Sequence, residues 1–177
     1  MSEIKKSHMP RQHINVKASV FVVSDSLSKL GENWLTQDKS GQLAVDSFKD
    51  QSFQVTPLRV IPDETDLIVE AIQHVLRSGS NLVLMVGGTG VSPRDVTIEA
   101  VRPLLDKELP GFGEVFRLES YREVGTMAIM SRAIAGVIGP ALVCCLPGSP
   151  NAVKLGISLL NPEVQHILNL LLQKPEG

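Results

Sequence analysis

The segment NLVLMVGGTGVSPRDVT, residues 81–97, combines a strand-like run, a glycine cluster and a proline-bearing turn. Residues 81–86 end in an unbroken apolar run, which is typical of a strand buried on both faces of a parallel sheet. Glycines follow at positions 87, 88 and 90. Because glycine tolerates positive φ, this cluster predicts a sharp turn at the carboxyl end of the strand. The segment therefore predicts an α/β fold.

Further strands and helices alternate with this segment along the chain. Residues 16–23, 53–61 and 141–146 are apolar runs rich in β-branched residues, so each predicts a buried strand. Residues 38–50 and 63–77 space their apolar residues three and four apart, which is the helical period. Continuous apolar strands joined by helical crossovers predict a three-layer αβα sandwich with a mostly parallel central sheet.

The end of the chain and its middle are less regular. Asn161 and Pro162 end an apolar segment, and residues 163–172 predict a last amphipathic helix. Between residue 91 and the strand at 141, prolines and glycines divide the chain into short pieces, and spacing assigns no element there.

Composition limits the class of protein. With 177 residues and 43% hydrophobic content the chain suits one domain, which we place at 14–177 after a flexible tail over 1–13. A net charge of −2 and 4% aromatic residues argue against nucleic acid as a partner. No apolar run is long enough to cross a membrane, and we expect a cytoplasmic protein. Cys144 and Cys145 are adjacent, so on a strand they point to opposite faces and form neither a disulfide nor a metal site.

The glycine cluster allows two interpretations. Gly87, Gly88 and Gly90 let backbone N–H groups approach a ligand closely, and Thr89 adds a hydroxyl, which together make an anion-binding nest for phosphate. A tight turn from strand to helix requires glycine for steric reasons alone, so spacing does not decide between the two.

Two acids at the same sheet edge are also ambiguous. Asp95 follows Ser92 and Pro93 at the spacing of a capping box, and Asp63 can cap the helix that begins near Thr65. Both acids nevertheless lie at the carboxyl ends of strands beside the glycine turn. There, two carboxylates together with ligand phosphates can hold a hydrated Mg²⁺. Ser149 likewise can cap a helix or offer its hydroxyl to a ligand.

Five short motifs, taken together and in order, resemble the MoaB/MogA family of molybdenum cofactor biosynthesis proteins. The resemblance covers about residues 16–172. The motifs are Ser24-Asp25-Ser26, Pro62-Asp63-Glu64, Gly87-Gly88-Thr89-Gly90 with Arg94-Asp95-Val96-Thr97, Pro110-Gly111-Phe112-Gly113-Glu114, and Leu146-Pro147-Gly148-Ser149-Pro150.

The resemblance implies a nucleotidyltransferase, a molybdopterin adenylyltransferase that uses Mg-ATP to convert the terminal phosphate of molybdopterin into an AMP anhydride. Asp63 and Asp95 match the family's two functional aspartates and would hold or orient Mg²⁺, and the turn at 87–90 would bind nucleotide phosphate. The rest of the groove would be lined by Ser24, Asp25, Ser26, Ser131, Pro147, Gly148, Ser149 and Pro150. Homotrimers or homohexamers are expected, with a downstream molybdenum-insertion protein as a candidate partner.

The chain departs from the family pattern in two places. Val86 stands where the family usually has threonine, and the loop at 27–36 is longer than the common version, so we expect altered affinity with unaltered chemistry. A non-catalytic molybdopterin carrier or assembly protein is the alternative function, and a hydrolase of nucleotide-type pyrophosphates is a third hypothesis. The choice between molybdenum and tungsten stays open.

Overall fold

The computed structural model describes residues 13–173, which form one mixed sheet with helices on both faces. The strands are β1 (Lys17–Val23), β2 (Gln54–Val55), β3 (Arg59–Ile61), β4 (Leu82–Val86), β5 (Lys107–Glu108), β6 (Ile134–Ile138) and β7 (Ala141–Leu146). The helices are α1 (Asp25–Ser28), α2 (Trp34–Gln37), α3 (Ser40–Asp50), α4 (Thr65–Arg77), α5 (Thr97–Val101), α6 (Pro110–Val124) and α7 (Pro150–Leu171). Single 3₁₀ segments cover Gly31–Asn33, Arg102–Leu104 and Gly125–Met130. Of the predicted tail, residues 1–12 lie outside the described residues.

The sheet is mostly parallel, as predicted. Its strand order is β2-β1-β4-β7-β6-β5, and β3 also pairs with β1. The pairs β1–β2, β1–β3, β1–β4 and β4–β7 are parallel, whereas β6 runs antiparallel to β7 and β5 antiparallel to β6. The carboxyl ends of β3, β1, β4 and β7 therefore lie side by side at one edge of the sheet.

Each face of the sheet buries its own apolar core. Along β4 and β7, alternate side chains enter a core under α3, α6 and α7 or a core under α4 and α5, which is the two-residue period of a strand. Cys144 lies in the first core and Cys145 in the second, and both are free and buried. The three-layer αβα sandwich and the opposite orientation of the two cysteines are confirmed.

The single strand predicted over residues 53–61 is wrong, because the structure divides it into β2 and β3. Pro57 lies between the two and has no N–H group to donate to the ladder. Val55 pairs with Ala18 and Arg59 with Phe21, so this edge has one more residue than the facing stretch of β1. The extra residue and the proline bend the edge strand.

The predicted helix break at Asn161 and Pro162 is also wrong, since α7 runs through both positions. A proline inside a helix removes one hydrogen bond, and apolar packing offsets that loss here. The buried stripe of α7 continues on both sides of the proline through Val153, Ile157, Leu160, Val164 and Leu168. Across residues 13–173, no helix is long and apolar enough to cross a lipid bilayer.

Candidate functional site

The loops after β3, β1, β4 and β7 meet at the carboxyl edge of the sheet, where the sequence placed the candidate residues. A cavity of about 470 Å³ opens at this edge, a volume in the range of small-molecule sites. The loops after β4 and β7 form one side of it. The other side is formed by α6 and the 3₁₀ segment that follows, including Phe116, Ser120, Val124 and Met127.

The backbone of the turn at 87–90 requires glycine, and three of its N–H groups have no partner among the described residues. Gly87 and Gly88 have φ of 101° and 60°, and a Cβ atom at Gly87 would lie 2.4 Å from the Val23 carbonyl oxygen. The Gly87 N–H donates to the Leu146 carbonyl over 2.9 Å, so this group belongs to the scaffold. No described residue accepts from the N–H groups of Gly88, Thr89 and Gly90. The turn therefore needs glycine for steric reasons, and it also leaves three consecutive N–H groups without a partner among the described residues, so phosphate binding there stays a prediction.

Asp63 does not cap α4, so that prediction is wrong. The cap position is Glu64, and the Asp63 carboxylate instead accepts from the Asp25 N–H over 2.9 Å. In return the Asp63 N–H donates to the Asp25 carboxylate over 3.1 Å. Burial, and then the negative charges of Asp25 and Asp95, raise the pKa of Asp63. The other carboxylate oxygen of Asp63, Oδ1, lies where a Cβ atom on Gly88 would be 2.6 Å away.

Asp95 is not a helix cap either, because α5 begins at Thr97 and no helix starts at Pro93. The Asp95 Oδ2 atom accepts from the Ser92 N–H over 2.8 Å, and the Asp95 N–H donates to the Ser92 carbonyl over 2.9 Å. These two bonds close a turn that places the carboxylate beside Gly90. Asp63 and Asp95 thus flank the glycine turn, each with one oxygen, Oδ1, that accepts no hydrogen bond from a described residue.

The predicted residues are only partly brought together in one cavity. The main cavity is lined by Gly87, Gly88, Thr89, Gly90, Asp95, Ser131, Pro147, Gly148 and Ser149. Ser24 and Pro150 line a neighbouring cavity of about 310 Å³, which shares Gly87 and Gly148 with the main one. Asp25, Ser26 and Asp63 line neither cavity. We use "groove" for the two cavities together.

The serines of the groove have different partners. Ser149 caps α7 by accepting from the Ala152 N–H over 3.2 Å, as one of its two interpretations predicted. Ser24 caps α1 in the same way, with the Leu27 N–H at 3.2 Å. The Ser131 hydroxyl is buried and has no partner among the described residues. An unpaired buried hydroxyl costs free energy, and a hydrogen bond from Ser131 to a ligand atom would remove that cost.

Arg132 holds the glycine turn in place, and sequence reasoning did not single it out. Its Nε donates to the Thr89 carbonyl over 3.1 Å, and its Nη2 donates to the Asp95 carbonyl over 3.3 Å. Thr89 within the turn and Asp95 beyond it are thereby tied to one guanidinium. Glu99 pairs with the same guanidinium through both carboxylate oxygens, and this contact lowers the pKa of Glu99. Arg132 follows Ser131 directly, which is the one hint in the sequence that it lies near the groove.

Arg94 belongs to one of the family motifs but was not predicted to bind a ligand. Its guanidinium pairs with the Asp25 carboxylate, and this contact lowers the pKa of Asp25. Asp25 therefore joins Arg94 on one side to the Asp63 backbone on the other. Within residues 13–173, no three carboxylates, histidines or cysteines converge closely enough to hold a metal ion by themselves.

Comparisons with known proteins show the family of the chain. A family profile described as a probable molybdopterin binding domain matches residues 19–166. The molybdenum cofactor biosynthesis protein B of Staphylococcus carnosus is 40% identical, over 90% of this chain and 96% of that protein. The molybdopterin adenylyltransferase of Pyrococcus furiosus is 42% identical, over 86% of this chain and 89% of that protein.

Solved structures show the same fold. The tungsten cofactor synthesizing protein MoaB from Pyrococcus furiosus superposes with a TM-score of 0.82 at 38% identity, over 93% of this chain and all of that one. A molybdopterin biosynthesis protein from Mycobacterium abscessus gives 0.80 at 34%, over 89% of this chain and 97% of the other. The chain therefore belongs to the molybdopterin-binding domain family of molybdenum cofactor biosynthesis, which includes the MoaB and MogA proteins.

Proposed function

We propose that the chain is a molybdopterin adenylyltransferase that transfers AMP from ATP to the terminal phosphate of molybdopterin. An oxygen of the pterin phosphate would attack the α-phosphorus of ATP, and the bond to the bridging oxygen of the β-phosphate would break. The products are adenylyl-molybdopterin and pyrophosphate. The glycine turn carries the proposal, because it offers three free N–H donors between two aspartates. The Pyrococcus furiosus relative, which bears the name of this activity, supports it.

In this reaction the protein positions two anions and neutralises charge, and it needs no nucleophile of its own. The free N–H groups of Gly88, Thr89 and Gly90 would donate to ATP phosphate oxygens. Ser131 lines the main cavity and would lie beside the bound substrate. Arg132 keeps these donors aligned before substrate binds.

The aspartates fit a magnesium ion that arrives with ATP. Mg²⁺ is usually held by one or two carboxylates with substrate phosphates and water, so a cluster of three acids is not required. The Oδ1 atoms of Asp63 and Asp95 accept no hydrogen bond from described residues and would be the ligands. When bound, the ion would neutralise charge on the phosphates. Because its pKa is raised, Asp63 would become protonated and lose this role at a higher pH than an ordinary aspartate.

The test is pterin-dependent release of pyrophosphate from Mg-ATP by the purified protein. We expect release by the parent, and a loss of at least about 100-fold in Asp63→Asn and Asp95→Asn, which keep the size of each side chain. Asp46→Asn is the matched control, since Asp46 is an exposed residue of α3 whose side chain contacts Gln42. Pterin binding without any product from the parent would contradict the proposal and indicate a carrier. Phosphate or AMP release without pterin would indicate a hydrolase.

We also infer self-association into trimers or hexamers. Large apolar side chains stay exposed on α6 and the 3₁₀ segment after it, including Leu118 at 52%, Met127 at 65% and Ile129 at 77%. A contiguous exposed apolar surface of this kind commonly marks a protein interface. Light scattering after gel filtration should give three or six times the chain mass. A monomer at micromolar concentration would contradict the inference.

A further inference from the structure

A second cavity, of about 320 Å³, lies on the other side of Ser131 from the groove. Among the residues that the structure describes, Ser131 alone lines both this cavity and the main cavity of the groove. The walls of this second cavity come from the 3₁₀ segment Arg102–Leu104, the end of β5, the first half of α6 and the chain entering β6. Three of its lining residues are arginines: Arg102, Arg117 and Arg132. We call this space the arginine cavity.

The arginine cavity carries an excess of positive charge. Arg102 pairs with both oxygens of Glu108 at 3.0 and 3.2 Å, and Arg132 pairs with Glu99. Within residues 13–173, no carboxylate lies within ion-pair distance of Arg117. One of the three guanidinium charges is therefore unbalanced, and Arg117 is only partly exposed. A partly desolvated cation without a counter-ion favours the binding of an anion.

Free hydrogen-bond donors converge there as well. The guanidinium of Arg117 makes one contact with a described residue, from Nη1 to the Ala133 carbonyl at 3.5 Å, so four of its five N–H groups remain unused. Arg102 uses only Nε and Nη2 on Glu108, which leaves Nη1 free. The buried Ser131 hydroxyl adds a donor with no partner among the described residues.

Gly113 gives the Arg117 side chain its position. A Cβ atom at Gly113 would lie 2.8 Å from the Ala133 carbonyl oxygen and 2.9 Å from the Arg117 Nη1 atom. Any larger residue would displace the guanidinium from the wall of the cavity. The absence of a side chain at 113 thus keeps Arg117 against the cavity wall before a ligand arrives.

We propose that the arginine cavity binds a compact tetrahedral oxyanion, held by Arg117, Arg102 and Ser131. Guanidinium groups suit such anions because their planar N–H pairs match two oxygens at once. Two sources share this chemistry: a phosphoryl group, as in phosphate or at one end of pyrophosphate, and a metal oxyanion such as molybdate or tungstate. The proposal does not depend on the adenylyl transfer, since binding requires neither the pterin nor ATP.

The first experiment is titration calorimetry on the full chain at low salt, with phosphate, pyrophosphate and molybdate as separate titrants. We expect Arg117→Gln to weaken the best of these by about tenfold or more. Arg122→Gln is the matched control, because Arg122 lies on the same helix and pairs with Glu119 outside the cavity. Tighter binding of pyrophosphate or of molybdate identifies the source, and either supports the site. Equal affinity of the parent and Arg117→Gln, or no binding of any titrant, overturns the proposal.

A second measurement uses only the parent protein, so its result does not depend on whether a variant folds. Crystals of the parent soaked in tungstate should show an anomalous peak within hydrogen-bond distance of Arg117 and Ser131. A peak only at the glycine turn, or no peak, would overturn the proposal. Because neither measurement uses ATP, a negative result here leaves the proposed adenylyl transfer to its own assay.

Discussion

Replacing Arg132 with methionine tests how the glycine turn is held. The substitution keeps much of the aliphatic stem and removes every donor. It breaks the bonds to the Thr89 and Asp95 carbonyls, at 3.1 and 3.3 Å, and the pair with Glu99. A hydrogen bond from a charged donor contributes about 1.5–3 kcal/mol, and a pair as exposed as this one adds about 0–1 kcal/mol. Allowing for the partial exposure of Arg132, we expect a loss of about 2–4 kcal/mol in the free energy of unfolding.

For a chain of this length that loss corresponds to a melting temperature about 5–15 °C lower. Because the turn would also lose its alignment, AMP transfer should fall by about 100-fold, the cost of a displacement near 1 Å. Calorimetry and the pyrophosphate assay measure the two effects, and Arg122→Met, which breaks an exposed pair with Glu119, is the control. Equal melting temperatures and equal rates of AMP transfer in Arg132→Met and Arg122→Met would refute this reasoning. The glycine turn would then be held by something other than the Arg132 guanidinium.

Three further predictions concern the backbone at Gly87 and the burial of Asp63, Cys144 and Cys145. Gly87→Ala should destabilise the fold by at least about 3 kcal/mol in urea unfolding, because its Cβ atom would lie 2.4 Å from the Val23 carbonyl at φ 101°, and a loss below about 1 kcal/mol would contradict this. Asp63→Asn should melt higher than the parent at pH 7–8, because burial raises the pKa of Asp63 and its ionised form is disfavoured in the fold. That advantage should shrink as the pH falls and the carboxyl is protonated, and a lower melting temperature at neutral pH would refute it. Burial raises the thiol pKa of Cys144 and Cys145, so a disulfide reagent at pH 8 should label them only after denaturation, and rapid labelling of the native protein would contradict their burial.

Much of the central sheet could be predicted because β4 and β7 are short, unbroken apolar runs. Such runs indicate a strand that is buried on both faces, and they can be recognised from the local sequence alone. The region around α6 could not be predicted, since Pro110, Gly111 and Gly113 are typical helix breakers. In the structure Pro110 occupies the start of the helix, where its missing N–H costs nothing, and Gly113 packs against the Ala133 carbonyl. Both roles depend on tertiary contacts.

The sequence was sufficient to predict which loops form the candidate site, but not which hydrogen bonds their residues make. Parallel strands end at one edge, so the glycine turn and its flanking acids could be placed together from sequence. The capping role of Asp63 was wrong because its carboxylate accepts from the Asp25 N–H instead. That of Asp95 was wrong because no helix begins after Ser92, although its carboxylate accepts from the Ser92 N–H as in a capping box. Arg132 was missed because the carbonyl it contacts at Thr89 lies 43 residues away in sequence. Contacts over that separation leave no periodic signal.

The most direct test of the central claim follows labelled phosphorus through one turnover of the parent protein with molybdopterin and Mg-ATP. With the label on the α-phosphate, the account predicts that it enters the pterin product, and that a label on the γ-phosphate leaves in pyrophosphate. Asp95→Asn should neither transfer the α-label to the pterin nor release the γ-label in pyrophosphate. Appearance of the γ-label in the pterin, or release of the α-label as AMP without pterin, would contradict adenylyl transfer at this site.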